Sequence, residues 1–336
     1  MKTVLITGGT GMVGRALTKA LLDKGYEVIV MGRGSFGKLT LRQAQNDNLR
    51  QAPATAGRQY ENGLSFAKWN VVKQEIDADA IAKADYIVHL AGAGVADKRW
   101  TSKRKQEIVD SRVKSGALLV HSLKSIPNKV KAVISASAIG WYGADDLTPN
   151  PSPLHGEGSS TQKFIETDKA ADDFLGQTCK QWEKSIEPVA VMGNRLVKLR
   201  IGIVLSTEGG ALKEFIKPLQ FGIASILGSG RQIISWIHID DLVNMFITAI
   251  EREDIRGVYN AVAPSPVSNK ELILTLAKAR NKFYIPVPVP SFVLKMMLGE
   301  MSIEILKSAT VSSAKAEKAG FSFRYAAIKE AVKSFC

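Results

Sequence analysis

The stretch Thr3-Val4-Leu5-Ile6-Thr7-Gly8-Gly9-Thr10-Gly11-Met12-Val13-Gly14 constrains this 336-residue chain more than any other. Val4 to Ile6 is a short apolar run of the kind that forms a buried strand in a parallel sheet. A turn holding Gly8, Gly9, Gly11 and Gly14 interrupts it. Val13, Leu17, Ala20 and Leu21 then recur at three- and four-residue steps, which lays one apolar stripe along a helix. Gly25 is the expected left-handed stop. In this order of strand, turn and helix, glycines let the backbone approach a pyrophosphate and the helix N-terminus holds its charge. A plain strand-to-helix turn with incidental glycines is the alternative, and it explains less of the pattern.

The next strand, Glu27 to Met31, ends at Gly32-Arg33. An NAD site commonly has an acid about 20 residues past the turn, where it holds the ribose 2′-hydroxyl. Arg33 stands there instead, and a guanidinium suits a 2′-phosphate, which it can grip with two hydrogen bonds. NADP(H) is therefore expected in preference to NAD(H). The alternative is that Arg33 is an ordinary surface arginine.

A hydrophobic fraction of 45% and a charged fraction of 23% fit a soluble globular protein, long enough for one large domain or two modest ones. No apolar run approaches the length of a membrane span, and no signal-peptide pattern precedes the first strand. Cys179 and Cys336 form neither a disulfide framework nor a metal spacing. A cytoplasmic, metal-free protein with no membrane partner is expected. The net charge of +13 could attract nucleic acid. Its one dense cluster is Lys98-Arg99-Trp100-Thr101-Ser102-Lys103-Arg104-Lys105, and no nucleic-acid motif accompanies it. No nucleic-acid partner is expected.

Gly34 to Gly63 lacks a sustained apolar period and reads as a long surface excursion. Strand character resumes from Leu64 to Val72 and again from Asp85 to Gly92, where His89 is expected as a satisfied core histidine. A long helix from Ser102 to Lys124 follows, then a strand from Val130 to Ser135 leading to Ser137, Trp141 and Tyr142. Thr148 to Ser160 is rich in Pro, Gly and Ser and cannot be a regular element. Helix is expected from Asp168 to Ser185, strand from Leu196 to Leu205, and a last strand from Val258 to Val262. Asp240 or Asp241 is the expected N-cap of a helix reaching Glu251. Further helices are expected near Lys270–Arg280, Phe292–Leu298, Ser313–Ala319 and Tyr325–Ser334. The alternation predicts an α/β, Rossmann-type doubly wound parallel sheet. Residues 1–205 with about 237–262 would form the dinucleotide-binding domain. Residues 206–236 with 263–336 would form a smaller C-terminal substrate domain.

These stretches together resemble the extended short-chain dehydrogenase/reductases, and within them the atypical epimerase-family branch. The matching pieces include Thr7–Gly14, His89–Gly92, Lys98-Arg99-Trp100, Ser135–Gly143, Arg200–Leu205, Ser235–Leu242, Gly299-Glu300-Met301 and Gly320-Phe321-Ser322-Phe323. The resemblance implies phosphate contacts at Gly8, Gly11, Met12, Val13 and Gly14, and 2′-phosphate contacts at Gly32 and Arg33. It implies that Leu90, Ala91 and Gly92 line the adenosine side, that Glu107 and Arg112 touch the cofactor, and that Val204 lies near the nicotinamide. Without the resemblance, Glu107 and Arg112 would pass as a solvated helical face. A homodimer formed through the two long helices is a further implication.

Active relatives use a Ser or Thr after the fifth strand with a Tyr and a Lys four residues apart on the next helix. The lysine lowers the tyrosine pKa so that the phenol can exchange a proton while hydride moves at the nicotinamide. Ser137 matches the serine, but Asp173 to Glu183 contains no Tyr-x-x-x-Lys. The only such spacing, Tyr325 to Lys329, falls far downstream. Two functions are therefore expected: an epimerase or reductase with a substitute proton donor, or a non-catalytic NADP(H)-sensing protein acting through a partner. Ser137 and Tyr142 are the candidate catalysts, with Lys98 and His238 also available. Arg99, Trp141, Arg231, Trp236 and His238 are the candidate substrate contacts. The bland alternatives are packing for the aromatic residues, a core hydrogen bond for His238 and a surface charge for Arg99.

Overall fold

The first 32 residues build the unit that seeds the sheet: β1 (Thr3–Thr7), α1 (Met12–Asp23) and β2 (Glu27–Gly32). β3 (Leu64–Asn70), the short β4 (Glu75–Ile76), α2 (Ala78–Lys83), β5 (Tyr86–His89), α3 (Ser102–Ser125) and β6 (Ala132–Ala138) follow. Next come α4 (Phe174–Ile186), α5 (Pro188–Val191), β7 (Arg195–Ile201), β8 (Ile203–Leu205), α6 (Gly210–Leu219) and β9 (Ile223–Leu227). β10 (Ile233–Ile234), β11 (Trp236–His238), α7 (Ile239–Glu251), β12 (Gly257–Ala261), β13 (Val267–Ser268) and α8 (Asn269–Ala279) continue the chain. It ends with β14 (Ile285–Val289), α9 (Ser291–Leu298), α10 (Ser302–Leu306), α11 (Ala314–Lys318) and α12 (Ile328–Lys333). This computed structural model describes residues 1–34, 63–145, 163–281 and 283–335.

The large sheet has the order β12-β7-β6-β5-β1-β2-β3-β4 and is parallel except for β4. The chain winds outward from β1 to β3, returns to the centre and winds the other way through β5, β6 and β7. The reversal lies between β1 and β5, where Thr7 and His89 are register partners at the carboxyl ends. Open α/β sheets bind ligands in the crevice outside such a switch point.

The strict alternation of a strand sorts the side chains of β1 onto two cores. Val4 and Ile6 pack with Leu17 and Leu21 of α1 and with Leu242 and Phe246 of α7. Leu5 packs on the opposite face with Ile81 of α2 and with Leu118 and Leu119 of α3. All three β1 residues are fully buried, and each such burial stabilises by about 1.5–3 kcal/mol. Leu205, Leu212, Leu219, Trp236, Leu272 and Ile328 belong to a third, separate cluster.

Several expected boundaries move. The helix expected from Asp168 begins at Phe174, because the Asp173 carboxylate accepts from Gly176 N–H and caps it there. The strand expected from Leu196 to Leu205 is two strands, broken at Gly202, and β8 leaves β7 to pair with β11. The N-cap expected from Asp240 or Asp241 is His238, whose Nδ1 accepts from Asp240 N–H. Asp241 instead accepts from the backbone N–H groups of Arg324 and Tyr325, tying the C-terminal segment to α7. Most of Gly34 to Gly63 and all of Thr148 to Ser160 lie outside the described residues.

Candidate functional site

The glycine turn is packed too tightly for side chains. Gly8 has φ +72°, and a Cβ added there would sit 2.9 Å from the Leu90 carbonyl carbon. A Cβ on Gly14 would lie 2.5 Å from both Gly8 O and Gly9 Cα. Gly11 caps α1 without a side-chain hydrogen bond, and the first turn holds no acid. The N–H groups at Met12 and Val13 and the positive end of the helix are left for an anion. The cradle therefore fits a dinucleotide diphosphate.

The other expected cofactor residues gather around this turn. Gly32 ends β2, and Arg33 is exposed beside it. The Glu107 carboxylate accepts from Arg104 Nη1 at 2.7 Å, which with the charges of Arg104, Lys98 and Arg33 holds it below the usual carboxylate range. Arg33, Lys98 and Glu107 thus share one neighbourhood. Leu90, Ala91 and Gly92 follow β5, and Gly92 lies against the Arg112 guanidinium. Arg112 is buried rather than on a solvated face. It donates to Ala93 O at 3.0 Å and Ile108 O at 2.9 Å and stacks 4.9 Å over the Trp182 ring. Burial lowers its pKa. Met12 reaches Gly209 and Gly210, and Gly210 approaches Val204 O, so the turn after β1 and the end of β8 meet.

His89 is the satisfied core histidine that its apolar strand implied. Thr7 Oγ1 lies 2.7 Å from Nδ1 and Ser115 Oγ 3.3 Å from Nε2. Ser115 gives its own proton to backbone carbonyls, so Nε2 carries the hydrogen and Nδ1 accepts from Thr7. Complete burial, aided by the Arg112 charge, pushes its pKa down to about 4.

Ser137 and Tyr142, the expected proton donors, turn inward instead of lining the cleft. Ser137 Oγ donates to Glu183 Oε1 at 2.8 Å, and Arg200 Nε donates to the same oxygen at 2.8 Å. Tyr142 is fully buried; its hydroxyl donates to Asn260 Oδ1 at 2.7 Å and accepts from Arg200 Nη1 at 3.0 Å. Burial pushes its phenol up to about 12. Trp141 donates Nε1 to Asp168 O and presents its ring 3.6 Å from the Arg200 guanidinium. The positions that face the end of β6 from α4 are Leu175 and Cys179, four residues apart. Both lie against Gly140, and Cys179 Sγ contacts Ala138 O. Burial raises the Cys179 thiol to about 12. An apolar side chain and a neutral thiol therefore face the end of β6 from α4.

Two expected substrate contacts belong to cores. Trp236 is fully buried in the third cluster and donates Nε1 to Ser265 O. His238 is buried against the rings of Tyr325 and Phe335, with Nε2 2.9 Å from Ser334 Oγ. Arg231 is exposed. Arg99 lies against the backbone of Gly299, Lys105 pairs with Glu300, and Trp100 packs with Met301. The dense basic cluster therefore grips the Gly299-Glu300-Met301 segment.

Sequence reasoning missed two groups. Glu183, Arg200 and Asn260 form the buried network just described; the visible signal is Lys198 and Arg200 inside an otherwise apolar strand. The second group is Lys307. Its Nζ lies 2.8 Å from Glu304 Oε2 and 3.3 Å from both Asp173 Oδ2 and Tyr142 O. Glu304 is raised by burial. No local pattern marks this cluster, because its members come from three distant segments.

Among the described residues no helix is long and apolar enough to cross a membrane, and no group of three or more His, Cys, Asp or Glu could hold a metal ion. The profile of the NAD dependent epimerase/dehydratase family matches residues 4–181, and a domain of unknown function, DUF1731, matches residues 289–335. The chain is 31% identical over 331 residues to epimerase family protein YfhF of Bacillus subtilis (strain 168), covering 98% of this chain and 96% of that protein. It is 32% identical over 333 residues to epimerase family protein SSP1921 of Staphylococcus saprophyticus, covering 99% of each. The crystal structure of human epimerase family protein SDR39U1 (isoform 2) with NADPH superposes with a TM-score of 0.76 at 26% identity, covering 99% of this chain and 98% of that one. With its switch-point crevice and its side-chain-free phosphate cradle, the chain belongs to the NAD-dependent epimerase/dehydratase family.

Proposed function

We propose that this protein binds NADP(H) and uses it in an epimerase- or reductase-type reaction on a small or nucleotide-linked substrate. The cradle at Gly8 and Gly14, with Arg33 where an acid would serve NAD, carries the reading. The NADPH in the human relative supports it. The nicotinamide, when bound, supplies the hydride chemistry. The protein's own residues bind and orient. Met12 and Val13 offer backbone N–H groups to the diphosphate, Gly11 and Gly14 give it room, and Gly32 and Arg33 hold the 2′-phosphate. Leu90 to Gly92 line the adenosine, Glu107 and Arg112 fix the loop beside it, and Val204 borders the nicotinamide. Residues 1–205 with 237–262 form the cofactor domain in this reading, and the remainder closes over it. Arg99 and Arg231 are the cations for an anionic substrate, and a homodimer through α3 and α4 is expected as the solution mass.

Lys307 is assigned to proton exchange. Lys307 Nζ lies 3.3 Å from the carboxylate of Asp173, the N-cap of α4, so its ammonium stands at the N-terminal end of the helix that follows the Ser137 strand. Ser137 and Tyr142 then act as positioning residues that hold the wall behind it. A second reading, a non-catalytic NADP(H)-sensing protein, is favoured by the absence of Tyr-x-x-x-Lys from Asp173 to Glu183, where Leu175 and Cys179 face the strand end.

The test is titration with NADPH, then turnover assays over carbonyl and nucleotide-sugar substrates for the native protein and Lys307→Met. Binding with turnover that Lys307→Met abolishes supports the enzyme. Binding without turnover or cofactor hydride exchange supports the sensor, which further requires unequal affinities for NADP⁺ and NADPH. Absence of nucleotide binding rejects both.

A further inference from the structure

The C-terminal elements expose an apolar surface. β9 and β14 form a two-stranded parallel ribbon in which Ile223 and Ile285 are register partners. At its start Phe221 is 82% exposed and Phe283 84%, and Ile285 is 55% exposed. α9 follows directly and buries only Leu294, while Phe292 is 70% exposed, Met296 69% and Met297 66%. These are large, soft side chains on the outer face of an amphipathic helix, the reverse of what solvation favours. Single exposed apolar residues are ordinary, but three on one two-turn helix, next in sequence to a ribbon with exposed isoleucine and phenylalanine, are not.

The segment that carries this surface is basic, although the exposed Glu271 and Glu300 flank it. From Leu272 to Gly299 the sequence holds Lys278, Arg280, Lys282 and Lys295 and no Asp or Glu. Lys278 and Lys295 are exposed, and Lys295 shares the outer face of α9 with Phe292 and Met296. Among the described residues β14 pairs only with β9, and its other edge also restricts what can dock. Ile285 N–H bonds Gly222 O and Val289 O accepts from Gly228 N–H, so the odd-numbered residues of β14 face β9. The outward-facing positions are Pro286 and Pro288, which carry no N–H. An added strand from another chain would find no donors there.

We propose that this face docks onto an anionic lipid bilayer surface. Phenylalanine and methionine side chains insert at the headgroup–acyl boundary while Lys278 and Lys295 meet the lipid phosphates. A lipid surface takes apolar side chains without needing backbone partners, which the proline edge withholds. Such contact lies along the bilayer and needs no spanning helix.

The full-length protein is sedimented with vesicles of phosphatidylcholine alone and with vesicles containing phosphatidylglycerol, at low and high salt. The expected result is pelleting with the anionic vesicles only, falling at least tenfold in affinity at high salt. Phe292→Asp/Met296→Asp should abolish pelleting, and Lys295→Glu should weaken it several-fold; unchanged NADPH binding and thermal unfolding verify that each variant folds. Pelleting that survives these substitutions would mean only the overall positive charge acts, and would overturn the proposal. So would absence of pelleting with either vesicle. A native dimer that the Phe292→Asp/Met296→Asp variant converts to monomers, without lipid binding, would assign the face to a second copy instead.

Discussion

Ser137 Oγ and Arg200 Nε both donate to one oxygen of Glu183, each at 2.8 Å, beneath the end of β6. The serine's proton is thereby committed inward. Arg200 also stacks on Trp141 and donates to Tyr142, so one buried ion pair fixes three of the expected catalytic or substrate residues.

Breaking that pair from one side should be costly. Glu183→Ala leaves the Arg200 guanidinium buried with one partner gone, for which about 3–5 kcal/mol of lost stability is expected. Glu183→Leu combined with Arg200→Met should recover much of it, since two charges no longer need desolvation. Urea unfolding of the two variants measures this; equal losses in the single and double variants would contradict the buried-pair account.

The cradle gives a sharper expectation. Gly14→Ala places a methyl 2.5 Å from backbone atoms of Gly8 and Gly9, which cannot yield as a flexible side chain would. NADPH affinity should fall at least tenfold, about 1.4 kcal/mol. Calorimetric titration checks it, and native affinity in the variant would count against the assigned cradle.

Arg33 decides the nucleotide. Arg33→Asp should weaken NADPH by tenfold or more through charge reversal beside the 2′-phosphate, leaving NADH unchanged or slightly tighter. If native protein binds NADH and NADPH equally, the preference disappears.

His89 sets a pH dependence. Its pKa is lowered from 6.5 to about 4 in the folded state, so between those values the unfolded chain binds a proton that the folded protein does not. Stability is therefore full above about pH 6.5 and declines as pH falls toward 4, by about 1.4 kcal/mol per unit, with no further loss from this group below. His238, lowered chiefly by burial, adds in the same direction. Unfolding free energies of native protein and His89→Gln from pH 4 to 7 should differ in slope, the variant being flatter.

The sequence alone determined the parts of this protein governed by local rules. The β1–turn–α1 unit was legible because alternation, glycine placement and helical period all act within a dozen residues. β5, α3 and the last sheet strand were legible for the same reason. Helix starts were less so: Asp173 and His238 took the caps because the tertiary context aimed their side chains at free N–H groups, while Asp241 was drawn to Arg324 and Tyr325. The tertiary structure decided the fate of Tyr142, Trp236 and Arg112, which polar or aromatic character had suggested for a site or a solvated face. Their burial depends on Asn260, Ser265 and Ala93, partners that no periodicity links to them. The Lys307 cluster and the grip of the basic stretch on Gly299 to Met301 arise the same way, from contacts across more than a hundred residues of chain. Spacing encodes which face a residue takes on its own element; only packing decides what that face meets.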